Sequence, residues 1–220
     1  MNYPVIEKLF EILPTLYINK IPPNSDEILF KSKELVKNLS NIEKIKLYET
    51  TIELDEVQEI IELAVLLNDI WDKDYQFNNK ELTQKKELIE IYLKYLISPF
   101  NLNLVFEILD NIKVSNKYFG KYEIIKDIVT DILNLELLNL NVIDKLIIYS
   151  KKNNNPNISK FISKKCKDEI FNIKNSIRIS YAREIATNSE KQLKLIVMNP
   201  DLLSSHINTR VNVLKNSSYF

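Results

Sequence analysis

The sequence predicts an all-α protein, built either as stacked antiparallel helix pairs or as an irregular helical bundle. Three observations point there. The 220 residues contain a single glycine, Gly120, and glycine is the residue that supplies the positive φ of tight hairpins. Apolar residues recur at helical rather than alternating spacing along most of the chain. The intervals between these stretches are marked by Asn, Ser and Pro, the residues of helix caps and breaks. A composition of 45% hydrophobic and 27% charged residues is that of an ordinary globular chain.

The elements follow in order. Pro4 suits the first turn of a helix through Leu13, with Val5, Leu9, Ile12 and Leu13 on one side and Pro14 after it. Ile21-Pro22-Pro23-Asn24 is a break. Ser25 then caps a helix whose first turn carries Asp26 and Glu27, where carboxylates suit the positive dipole end. Its stripe is Ile28, Leu29, Leu35, Val36 and Leu39. Ser40-Asn41-Ile42-Glu43 fits a capping box and starts a short helix with Ile42, Ile45 and Tyr48 as its apolar residues. The strongest helix spans about 54–71: Val57, Ile60, Ile61, Ala64, Val65 and Leu67 recur on one side, while Glu53, Glu56, Glu59 and Glu62 recur every three residues along a polar side. Tyr75 to Asn79 reads as a loop. Further helices are expected near 80–97, 102–113, 121–134, 141–151, 157–171, 176–187, 190–198 and 207–215, with a loop at Asn153-Asn154-Asn155-Pro156-Asn157.

A weak internal periodicity runs through the loops. A polar residue at an expected helix start is followed seven residues later by Ile or Leu: Glu53 by Ile60, Asn101 by Ile108, Asn139 by Leu146 and Asn188 by Leu195. Stacked helix pairs that cannot bury both faces alone give this pattern. The stretch Ala186-Thr187-Asn188-Ser189, then Leu193 and Val197, then Arg210, Val213 and Asn216-Ser217, resembles leucine-rich-repeat-variant and HEAT-like α-helical repeats. The resemblance covers residues 178–220 and implies a superhelical stack (a HEAT-like α-solenoid) that binds macromolecules. A single domain over 1–220 is expected, with a subdivision into an acidic helical half, 1–100, and a basic helical-repeat half, 101–220.

Charge is balanced overall but divided along the chain. Residues 1–110 hold 20 acidic against 12 basic side chains, and residues 111–220 hold 10 against 18. Between Glu49 and Asp74, nine carboxylates face only Lys73. Such a division steers charged partners. One cysteine, Cys166, allows no intramolecular disulfide and fits a reducing compartment. Met1-Asn2-Tyr3-Pro4 has neither a basic nor an apolar leader region, and no apolar run approaches the length of a membrane span. A cytoplasmic, non-membrane protein is expected.

Chemistry-bearing constellations are sparse. The chain has neither a GxGxxG nor a GxxxxGK[ST] run. His206 is the only histidine and reads as a surface or capping residue in a loop. Cys166, in Lys164-Lys165-Cys166-Lys167, has lysine neighbours of the kind that activate a thiol, but reads more simply as a helix cysteine. Asp69 and Asp72 are spaced for one helix face, and a Mg²⁺ site would need Glu123, Asp127 or Asp131 opposite them. No enzyme, cofactor or metal is expected. The expectation is a non-enzymatic protein-binding module, of an inhibitor or immunity type, that covers a basic partner with Glu53, Glu56, Glu59, Glu62, Asp69, Trp71, Asp72 and Asp74. The alternative is nucleic-acid binding through Lys160, Lys164, Lys165, Lys167, Arg178 and Arg183.

Overall fold

A central helix that is apolar on nearly every side organises the first part of the protein. The computed structural model describes residues 4–16, 25–71, 79–112 and 118–216, with backbone alone at 14, 15, 25, 69–71, 79–81, 215 and 216. All described elements are helical, so the chain is all-α. The expected break at 21–24 and most of the expected loop at 75–79 lie outside the described residues.

Two compact units divide the chain, Met1–Thr130 and Asp131–Phe220. The first contains α1 (Pro4–Leu16), α2 (Ser25–Lys37), α3 (Asn41–Tyr48), α4 (Leu54–Trp71), α5 (Asn79–Leu93) and α6 (Pro99–Asn111). Helix α4 packs against α6, α2 and α1, and α5 packs against α1. From Val57 to Leu67 every α4 side chain except the half-buried Glu59 is buried. A helix covered on all sides belongs at the centre of a core, which is why the expected polar side of α4 survives only in its first turns. Ser98 caps α6 by accepting from the Asn101 N–H at 3.1 Å, with Pro99 in the first turn. A 3-10 turn at Gly120–Tyr122 leads into α7 (Glu123–Leu138), and Gly120 has φ +59°. Glu123 accepts from the Phe119 N–H at 2.9 Å and from buried Lys126 at 2.8 Å.

The second unit contains α8 (Val142–Lys152), α9 (Ile158–Lys165), a π-helical turn over Cys166–Ile170, the short α10 (Phe171–Ile173), α11 (Ser180–Val197) and α12 (Pro200–Asn216). Helices α8, α9 and α12 pack on one another, and α11 packs on α12. Arg210 of α12 grips the Asp144 carboxylate of α8 with Nε at 2.8 and 3.0 Å and with Nη2. Asp131 Oδ2 accepts from the backbone N–H groups of Arg178, at 2.9 Å, and Ile179, at 2.6 Å. This clasp sets the true break before α11. The chain therefore departs from the expected elements at 176–198: Asn188 and Ser189 lie inside α11 because Ala182, Ala186, Leu193 and Val197 keep one buried stripe through them. The next break comes at Asn199, whose Oδ1 caps α12 by accepting from Asp201 and Leu202. Helix α1 likewise continues through Pro14 to Leu16.

Candidate site at the α3–α4 corner

Three features of the sequence shape the corner between α3 and α4. The first is the capping box. Ser40 Oγ accepts from the Glu43 N–H at 3.3 Å, and Glu43 Oε2 accepts from the Ser40 N–H at 2.7 Å, as the sequence predicts. The box holds Glu43 on the inner side of α3, where it and Leu47 are buried. The three apolar residues of the opposite face then point outward: Ile42 is 68% exposed, Ile45 58% and Tyr48 74%. A helix of only eight residues thus buries a glutamate and a leucine and offers an apolar row at i, i+3, i+6 to solvent.

The second feature is the connection Thr50-Thr51-Ile52. Thr50 is buried; its hydroxyl donates to the Leu47 carbonyl at 2.7 Å and accepts from the Ile52 N–H at 3.3 Å. Thr51 has φ +62°, a left-handed conformation that costs a non-glycine residue about 1–2 kcal/mol and is least suited to a β-branched side chain. Its hydroxyl donates to the Thr50 carbonyl at 2.6 Å and accepts from Lys121 Nζ at 2.9 Å. Strain of this kind concentrates at functional turns. Thr51→Asn, whose side chain tolerates this region, is expected to raise stability by about 1 kcal/mol in urea unfolding; an unchanged or lowered midpoint would show that the two hydroxyl bonds outweigh the strain.

The third feature is Leu54, 51% exposed at the start of α4. It is shared by two cavities. One, about 380 Å³, is lined by Lys33, Val36, Lys37, Lys44, Leu54, Asp55 and Gln58. The other, about 250 Å³, is lined by Leu47, Tyr48, Thr51, Ile52, Glu53 and Leu54. Glu53 lines the second, and Lys121 reaches its Thr51 hydroxyl; along the sequence Glu49, Glu53, Asp55 and Glu56 are exposed, with no basic residue between Glu49 and Glu59.

The sequence-predicted acidic row is only partly assembled. Glu53 and Glu56 are exposed as expected. Glu59 is half-buried, and burial, then its neighbours Glu56, Glu62 and Asp55, push its carboxyl above the usual range. Glu62 corrects the expectation: it is buried, because α2 covers that side of α4. Its Oε1 accepts from Gln58 Nε2 at 2.8 Å and lies 3.4 Å from Ser32 Oγ. Gln58 Nε2 also donates to Ser32 at 3.0 Å. Burial pushes the Glu62 carboxyl up, against the opposing pull of Gln58, Lys33 and Ser32. A lysine at 62 would enter the core. Asp69 and Trp71 fall in the last turn of α4 with side chains outside the described residues, as are Asp72 and Asp74 altogether. The sequence reading overlooked Ile42, Ile45, Tyr48 and Leu54 as surface; the available signal was the capping-box glutamate, which fixes the inward face of α3.

The remaining candidates lie elsewhere. Asp131 and Glu123, weighed as metal partners, hold backbone N–H groups. Among the described residues no three His, Cys, Asp or Glu side chains gather as a metal site. Cys166 is fully buried, and burial pushes its thiol up to about 11, away from the activated alternative and in line with its reading as a plain cysteine. His206 lies within α12 rather than in a loop. In the basic half, Lys160, Lys164, Lys167, Arg178 and Arg183 are exposed. Lys165 pairs with Glu169 at 2.5 Å, and Arg183 Nε donates to the Ile177 carbonyl at 2.8 Å. Lys174 and Lys194 both reach Glu190, at 3.1 and 2.7 Å. Burial alone would raise the Glu190 carboxyl, but these two ammonium groups lower it. No helix among the described residues is long and apolar enough to cross a membrane. Comparison with protein-family models, with curated proteins and with solved structures finds no match for this chain.

Proposed function

We propose that this chain is a non-enzymatic protein-binding module that docks its partner on the α3–α4 corner. The observation that carries the reading is the outward apolar row Ile42, Ile45 and Tyr48, continued by Leu54, in a place where the same short helix buries a glutamate. Exposed apolar clusters rimmed by polar groups are the usual mark of an interaction surface. Tyrosine is among the residues favoured at binding hot spots. The strained Thr51 and the two cavities around Leu54 lie at the same place. The acidic stretch from Glu49 to Glu59 sets the partner's chemistry: an apolar centre with a basic rim. A cover for a basic active site, as in an immunity or inhibitor protein, is one form of this role. Nucleic-acid binding through the second unit has less support, because Lys165 and Arg183 are engaged within that unit.

The test uses a photo-crosslinking amino acid at position 45 to trap the partner in cells, then kinetics on the purified pair. Reversing Glu49, Glu53 and Glu56 to Lys is expected to leave the melting temperature within about 2 °C and to slow association by about tenfold at low salt. Glu62 is left untouched, since it belongs to the core. A partner whose on-rate ignores the reversal, or crosslinking to nucleic acid alone, overturns the proposal.

A further inference from the structure

The outward face of α5 is apolar at its centre and carries opposite charges along one edge. Helix α5 buries Ile89 and Leu93 and packs on α1. Helical hydrogen bonding runs one turn past Leu93: the Lys94 N–H donates to the Glu90 carbonyl at 2.9 Å, and the Ile97 N–H to the Leu93 carbonyl at 3.1 Å. Opposite the buried side stands Ile91, 61% exposed, with Tyr95 one turn further on at 86%. At 3.6 residues per turn, Leu88 and Tyr95 lie on one edge of this face, about 60° and 40° from Ile91, and Glu87 and Lys94 lie on the other, about 40° and 60° away. Leu88 is half-buried, whereas Glu87 and Lys94 are exposed. The Lys94 ammonium lies 4.7 Å from the centre of the Tyr95 ring, which keeps it on the outward face. Tyr92 and Leu96, both partly exposed, widen the apolar strip on the side of Tyr95.

We infer that α5 pairs with α5 of a second copy of this chain, antiparallel about a two-fold axis through Ile91. Such an axis sets each residue opposite the one equally far along the helix on the other side of the centre, and it keeps the two edges of the face in place. Lys94 then meets Glu87 of the second copy, Tyr95 meets Leu88 of the second copy, and the two Ile91 side chains meet at the centre. A second copy always supplies this match, because acid precedes and base follows the apolar centre along the helix. The α3–α4 corner has no such self-match: Glu49, Glu53 and Glu56 there would repel a second copy. Glu90, exposed one turn before Lys94, leaves that ammonium between a carboxylate of each copy. The apolar side chains of the face expose roughly 450 Å² per copy. The pair thus covers about 900 Å² of them and, with its charged edge, reaches the size of a small specific interface, about 1,000 Å². That size suits a reversible pair of micromolar affinity. The pairing uses no residue of the α3–α4 corner, so it stands or falls separately from docking there.

Sedimentation velocity of the full chain, from about 1 to about 200 µM at low salt, tests the pairing. The apparent mass is expected to rise from one chain toward two, with a midpoint of about 20 µM. Ile91→Glu sets two carboxylates together on the axis and is expected to weaken pairing at least about thirtyfold, with the circular dichroism melt unchanged because the site is exposed. Glu87→Lys alone and Lys94→Glu alone each place like charges opposite one another and are expected to weaken pairing about fivefold. The two reversals combined restore opposite charges across the axis and are expected to recover the parent affinity to within about threefold. These surface reversals decide the matter even where Ile91→Glu lowers the melt. A single-chain mass up to the highest concentration, pairing undiminished in a folded Ile91→Glu, or a double reversal no stronger than either single one overturns the antiparallel α5 pair.

Discussion

Replacing Asp131 by alanine is expected to lower stability by about 3 kcal/mol, more than any exposed substitution in this protein. The reason is the asymmetry of hydrogen-bond loss. One carboxylate oxygen holds the N–H groups of Arg178 and Ile179 at 2.9 and 2.6 Å. Bonds to a charged acceptor contribute about 1.5–3 kcal/mol each, and a buried donor left alone keeps its desolvation cost. Ile179 is buried, so water does not replace the carboxylate there, whereas the N–H of exposed Arg178 finds a solvent partner more easily. Asp131→Asn keeps an acceptor oxygen at nearly the same place and is expected to lose about half as much. Urea unfolding followed by circular dichroism measures both. A loss below about 0.5 kcal/mol for the alanine variant would mean that the turn at Ser176–Ile179 is held by its packing alone.

Glu62→Gln is expected to act in the other direction, and only away from acid. Burial raises the Glu62 carboxyl above its ordinary 4.5, while Gln58, Lys33 and Ser32 oppose the shift. Half-buried Glu59 of the same helix is raised in turn partly by Glu62. The folded state therefore holds the proton more tightly than the unfolded chain does. The contribution of this group to stability is complete below pH 4.5 and is lost as pH rises through the raised folded value. Among the described residues Oε2 has no hydrogen-bond partner, a situation that costs a buried polar atom about 1–3 kcal/mol and more when it is charged. Glutamine keeps an acceptor for Gln58 and removes the charge. Melting temperatures of the two proteins are expected to lie close together at pH 4 and to separate toward pH 7, with the variant the more stable. A difference that stays constant across that range would place the titration on some other group.

How much of this was legible in the sequence differs from helix to helix, for physical reasons. The start of α3 was legible, because a capping box is local chemistry. Its outward face was not. Two opposite faces of an eight-residue helix each offered apolar residues, and which one is buried depends on the neighbours that Leu47 and Glu43 meet. Helix α4 was placed correctly, but its every-third-residue carboxylates suggested a polar side. Glu62 at the end of that row is enclosed because α2 brings Ser32 onto it, a contact 30 residues distant that no periodicity encodes. In the second unit, Asn188 and Ser189 were read as a helix boundary from residue type alone. The real boundary is set by Asp131, 47 residues before Arg178. The docking corner itself was half legible: its carboxylates were visible in the sequence, whereas Tyr48 and Leu54 looked like any other apolar residues until the packing left them outside.

The single glycine has a further consequence, in the unfolded chain. Gly120 sits at φ +59°, and a Cβ added there would meet no atom within 4 Å. Asn154 takes up the same hand of backbone at φ +50° without being glycine. The chain thus makes its left-handed corners almost without glycine. A chain of this length with average usage would carry about 15 glycines. Each glycine replaced at a tolerant position restricts the denatured ensemble and stabilises by about 0.4–1 kcal/mol. The disordered state of this protein consequently begins from a smaller conformational volume than most, by an amount on the order of the whole net stability of a typical domain. Its helices accordingly have less backbone entropy to overcome as they form.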